Sequence, residues 1–136
     1  MTGQLQEALK MISISHKINT EIKEDRHIAN DLNHLAMIYQ QIGGSENLEL
    51  SIKYYREATQ LNYQLISKGY RNRKFNLANN LGGLGISLSK LARKSDAHEQ
   101  WIEAIKLFEE VGAFERVKYV ESYMATSDAD TLRYIH

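Results

Sequence analysis

The chain has 136 residues, 43% of them hydrophobic and 25% charged, the balance of a globular domain with material for one core rather than two. Seventeen basic residues offset seventeen acidic ones, so the positive excess behind wholesale nucleic-acid binding is missing and self-association meets no net repulsion. Cysteine is absent, which excludes disulfides, a thiolate nucleophile and a cysteine-based zinc site.

Proline is absent too, so nothing interrupts a helical hydrogen-bond ladder, and six stretches carry a helical apolar period. The first is predicted over 4–23, with Leu5, Leu9, Ile12 and Ile18 on one face and Thr2 as N-cap. The second, 27–42, stops at Gly43-Gly44; Ser45 then caps a third over 46–68, closed by Gly69. A fourth follows over 72–92. Ser95 caps the fifth, which runs to Glu110 and ends at Gly112. The sixth starts near Ala113 and fades near Met124, leaving 125–136 as a frayed tail behind a domain spanning 1–124. No apolar run approaches the ~20 residues of a membrane helix and the amino terminus lacks a secretory pattern, so a cytoplasmic protein with no membrane partner is expected. The links are short, which makes consecutive helices antiparallel hairpins.

Chemistry finds little footing. His27 and His34 lie two turns apart, too far to share an ion, and His16 and His98 have no partner four residues on, so no metal site is expected. No nucleophile, base and orienting group fall together, so neither an enzyme nor a cofactor is expected.

Internal repetition is the informative signal. Leu32, Leu35, Ala36 and Tyr39 match Leu81, Leu84, Gly85 and Leu88: large apolar, Leu, small, large apolar at the same spacing. Downstream, Ser51-x3-Tyr55-x2-Ala58 and Ala97-x3-Trp101-x2-Ala104 match each other, and Ala8, Ile12 and Ser15 give a third copy. The spacing resembles the tetratricopeptide repeat, W-x2-L-G-x2-Y followed by A-x3-F, over about 3–124. Small residues let paired helices approach while Tyr39, Tyr55 and Trp101 fill the space beside them. The resemblance implies an all-α fold of antiparallel hairpins stacked as a right-handed α-solenoid with a concave side. There are departures: no proline follows the second helices, and the first helices begin further apart, Ala29 to Ala78, than the usual ~34 residues. That extra length is similar to kinesin light chains and to the sensor arrays of signalling ATPases.

The family binds protein or peptide segments on its first helices, which here implies a groove face of Asn30, Asn33, Met37, Gln40 and Gln41, continued by Asn79, Gly82, Ile86, Ser89 and Lys90. Asn33 sits in a Leu-Asn pair similar to that of kinesin light chains, where the amide meets ligand main chain; an exposed helical Asn with no role would look the same. The family's carboxylate clamp is incomplete, because Met37 and Ile86 stand where polar groups are wanted. Gly82-Gly83 inside a helix costs about 1 kcal/mol per residue against alanine, so close approach of a neighbouring helix or of a ligand is expected there. It is not a phosphate loop, for no strand precedes it and no Gly-Lys-Ser/Thr follows. Arg71, Arg73 and Lys74 oppose the dipole of the fourth helix and read either as a solvated loop or as a patch for an acidic peptide, carboxylate or phosphate.

Opening on a second-type helix leaves Leu5, Leu9 and Ile12 without their usual cover, as in a piece of a longer array or a chain that self-associates into a homo-oligomer. Two functions follow: a non-catalytic protein–protein interaction module binding a peptide or protein segment in the groove, or a structural, self-associating segment of a larger signalling protein. RNA binding through Arg71 and Arg73 is a weaker third, and no nucleic-acid partner is expected.

Overall fold

The computed structural model describes residues 3–135, with side chains to Asp128. Six helices follow in order: α1 (Gly3–Glu21), α2 (Asp25–Ile42), α3 (Ser45–Ser67), α4 (Lys74–Lys90), α5 (Lys94–Glu110) and α6 (Phe114–Ile135), with a 3₁₀ turn at Arg71–Arg73 leading into α4. No strand occurs among the described residues.

What stops the helices is mostly one device. Four of the five connections are Schellman motifs, in which the left-handed residue donates to the carbonyl three back and its successor to the carbonyl five back. They centre on Lys23, Gly69, Ala92 and Gly112, with φ of 56°, 107°, 61° and 73°. At Ala92, for example, Ala92 N donates to Ser89 O at 2.9 Å and Arg93 N to Leu88 O at 2.9 Å. Only the α2–α3 link differs, with Gly43 and Gly44 both at positive φ. The serine caps expected from sequence do not form. Ser45 is the first residue of α3 behind Gly44, and Ser95 lies inside α5, whose N-cap Arg93 makes no side-chain capping bond. The chain reverses through the left-handed residues, which places Ser45 one residue and Ser95 two residues too far along to cap. Two further expectations change. The fourth helix begins at Lys74, behind the 3₁₀ turn, and α6 continues through the stretch expected to fray. Thr2, the expected first cap, lies outside the described residues.

Each helix packs on its chain neighbours, and α4 also comes close to α2 and α6; among the described residues, the Cα atoms of α1 and α3, and of α3 and α5, stay more than 8 Å apart. The motif positions form the core. Leu32, Leu35, Ala36, Leu81, Leu84 and Leu88 are buried from α2 and α4, and Ser51, Tyr55, Ala58, Ala97, Trp101 and Ala104 from α3 and α5. Burying Trp101 or Tyr55 removes some 150–250 Å² of surface per ring, which makes this layer the main apolar contribution to stability.

α1 is the exception, with no fully buried residue and α2 as its one neighbour. Leu5, Leu9 and Ile12 are half-buried, but Ile18 is 52% exposed. At about 100° per residue Ile18 falls on the far side of the helix from Leu5. It belongs to an outward stripe with Met11, Ile14 and Ile22, which are 62%, 52% and 64% exposed. The uncovered face is therefore this stripe, and not Leu5, Leu9 and Ile12. Polar bonds hold α1 in place: Ser15 Oγ and Asn19 Nδ2 donate to the buried Asp31 carboxylate of α2 at 3.0 and 2.7 Å.

Candidate functional site

Two adjoining cavities open over α2 and α4 and share Asn33 and Asn79. The larger, about 340 Å³, is walled by α2, α4 and α6 and floored by rings from the helices behind. Its floor follows from the glycines of α4. A β-carbon at Gly83 would collide with the Tyr55 phenol, and one at Gly85 with the Trp101 indole. Tyr55 from α3 and Trp101 from α5 thus lie against α4 from either side, and Trp101 Nε1 donates to Gly82 O at 3.1 Å. Gly82 is different: a β-carbon there would reach only Val120 Cγ2 at 4.0 Å. Neighbour packing accounts for Gly83 and Gly85, while Gly82 leaves open space in the cavity.

α6 closes the far wall with Arg116, Tyr119, Val120 and Tyr123, a single helical face. The Tyr119 and Tyr123 rings meet edge to face at 5.2 Å, and Tyr123 stands 6.3 Å from Trp101. A hydrogen bond with Tyr119, together with burial, pushes the Tyr123 phenol up to about 12. Burial also raises the Tyr55 phenol well above its ordinary value. The rings therefore act at neutral pH as uncharged surfaces.

The smaller cavity, about 250 Å³, is lined by Ala29, His34 and six asparagines, 30, 33, 62, 76, 79 and 80. Behind it lies Arg73, 7% exposed. Its Nε donates to Asn62 Oδ1 at 2.9 Å and its Nη2 to Asn30 Oδ1 at 2.9 Å. Asn62 Nδ2 donates to Asn80 Oδ1 at 2.6 Å, and Asn80 Nδ2 to Asn33 Oδ1 at 2.8 Å. Arg73 forms no ion pair among the described residues, and burial, with Arg26 nearby, lowers its pKa. The basic cluster of the sequence thus divides: Arg71 is exposed, Lys74 pairs with Glu110 at 3.4 Å, and Arg73 turns inward.

Of the residues expected to face a ligand, Asn33, Met37, Gln40, Asn79, Gly82 and Ile86 line the larger cavity and Asn30 the smaller; Gln41, Ser89 and Lys90 line neither. Gln40 is committed elsewhere, its Nε2 donating to Gly83 O at 2.9 Å and Ser87 Oγ at 2.8 Å. It ties α2 to α4. The α6 wall is what the sequence reading missed; its one available signal is the i, i+3, i+4, i+7 spacing of Arg116, Tyr119, Val120 and Tyr123. No family model, curated protein or solved structure matches the chain. No described helix is long and apolar enough to cross a membrane.

Proposed function

We propose that the chain is a tetratricopeptide-like stack whose first-type helices, α2, α4 and α6, form a concave groove binding a peptide or protein segment without catalysis. The observation carrying this reading is the cavity walled by those three helices and lined by six residues expected from the repeat register. The spacing of the helices supports it: Cα atoms of α4 come within 8 Å of α2 and α6, while those of α3 come that near to neither α1 nor α5. A curved stack crowds its inner row and spreads its outer row. Aromatic rings beside amides suit a segment that buries an apolar side chain and hydrogen-bonds its main chain.

The test is selection of a phage-displayed random peptide library on the chain, with the single tryptophan, Trp101, as fluorescence reporter of binding. Enriched peptides should lose at least tenfold in affinity on a Met37→Ala, Asn79→Ala double variant, whose two side chains line the cavity. Enrichment that the variant leaves untouched rules the groove out.

The outward stripe of α1, Met11, Ile14, Ile18 and Ile22, favours a second role in self-association. Light scattering at rising concentration should show a mass above one chain, reduced to one chain by Ile14→Lys with Ile18→Lys. A monodisperse single-chain mass for the wild type at millimolar concentration removes that role.

A further inference from the structure

The asparagine cavity has a direction, and Arg73 sets it. A guanidinium has donors only, so both amides it meets must turn their oxygens toward it. Asn62 then presents its nitrogen to Asn80, Asn80 presents its nitrogen to Asn33, and Asn33 can accept from Asn80 only with its oxygen. Every amide in the chain is oriented by the first. The remaining nitrogen of Asn33 is left with a weak acceptor, Met37 Sδ at 3.4 Å, and that of Asn30 with none among the described residues. Asn76 and Asn79 make no bond among the described residues and are free to turn either way.

The charge points the same way. The lining of the two cavities includes Arg116 and His34 but no aspartate or glutamate, although the chain as a whole is neutral. Arg73 adds a buried positive charge one amide layer behind, and hydrogen bonds that polarise one another along a row strengthen its last donor. A buried cation with only neutral partners remains costly until an anion approaches.

We infer that Arg73, acting through Asn62, Asn80 and Asn30, makes the asparagine cavity a donor site for a carboxylate, borne by an acidic side chain or a chain terminus of the segment bound in the groove. Arg73 is a positioning residue here; Asn30 and Asn33 make the contact. The inference rests on the groove reading for its biological ligand, but the donor site is testable without it.

The probe is sodium propionate against propionamide, at matched ionic strength, on ¹⁵N-labelled chain, following the side-chain NH₂ signals of Asn30 and Asn33. Propionate should move both saturably and at least tenfold more tightly than propionamide. Equal response to the two, or none to either, overturns the proposal. Asn80→Asp supplies the readout that a merely structural role would not move. A carboxylate at 80 accepts from Asn62 and from Asn33 alike, so Asn33 must turn its oxygen to the cavity, and the propionate response at Asn33 should vanish with the fold intact. An unchanged propionate preference in folded Asn80→Asp sinks the relay; should that variant not fold, the wild-type comparison decides alone.

Acetyl-Leu-Glu-Leu-amide and acetyl-Leu-Gln-Leu with a free carboxylate then separate the sources. Preference for either identifies the source and supports the site, while failure of both to displace propionate counts against it. Propionate binding that no selected peptide displaces keeps the donor site and removes the groove reading. Selected peptides indifferent to Glu→Gln and to terminal amidation keep the groove and remove the donor site.

Discussion

α1 and α4 are of similar length and both carry an apolar pattern, yet they sit in the molecule in opposite ways. α4 contributes Leu77, Ala78, Asn80, Leu81, Leu84, Gly85, Ser87 and Leu88 to the interior and touches four other helices. α1 contributes no fully buried residue, touches one helix among the described residues, and with Ile22 just past its end turns four large apolar side chains to solvent. The difference is one of how many neighbours each helix packs against. A helix packed against four others is constrained on every side, while one packed against a single helix is held by whatever that neighbour offers. For α1 that offer is largely polar, the Asp31 carboxylate gripping Ser15 and Asn19. The larger cavity lies over the most constrained helix, which would suit the proposed binding surface, since such a surface must keep its shape.

The sharpest way to break α4 is at its glycines. Gly85→Ala drives a methyl group into the buried indole of Trp101, which is rigid and 1% exposed. Overpacking of this kind costs about 1–3 kcal/mol, and Gly85→Ala should fall at the upper end. Gly83→Ala meets the far end of Tyr55, a ring that has some room to tilt into the cavity, and should cost less. Gly82→Ala should go the other way, because nothing stands in its path and alanine is better in a helix interior by about 1 kcal/mol. Denaturant midpoints of the three variants check the order, with the Gly82 variant above wild type and the other two below it. If Gly82→Ala also destabilises, the open space assigned to the cavity at that position is wrong.

Much of this was readable beforehand. The repeat spacing named part of the buried layer of α2 to α5, since small residues opposite rings are a packing requirement that leaves a trace in one chain; Tyr39, expected in that layer, is only half-buried and stacks on Tyr54. Gly43, Gly69 and Gly112 marked the turns because left-handed backbone favours glycine. Lys23 and Ala92 hold the same conformation without any such residue, so those turns left no mark, and Ser95 near Ala92 suggested a cap that does not form. The lining of the cavities was legible in part. Asn33, Met37 and Ile86 followed from register, but Gln40 was read as free when it bridges α2 and α4. Arg73 was one of three basic residues within four positions, and nothing in their order tells which turns inward; that depends on Asn30, Asn62 and Asn80, which come from three helices. The direction of an amide is invisible in a sequence altogether.

The smallest expected effects lie at the two non-glycine turns, and they sharpen the comparison most finely. Lys23 ends α1 and Ala92 ends α4, both as the left-handed residue of a Schellman motif. A side chain in that conformation costs about 1–2 kcal/mol, part of which glycine returns as extra freedom in the unfolded chain. Lys23→Gly and Ala92→Gly should therefore each stabilise their own turn by about 1 kcal/mol or less. The two gains should appear in different measurements. α4 is packed on four sides and opens only with the whole molecule, so Ala92→Gly should raise the global unfolding midpoint. α1 rests on one neighbour with no buried residue and opens by itself, so Lys23→Gly should slow amide exchange within α1 and leave the global midpoint nearly unchanged. Equal shifts of the midpoint from both substitutions would mean that α1 unfolds together with the core, and that its polar anchor at Asp31 couples it to the other helices as firmly as burial couples α4.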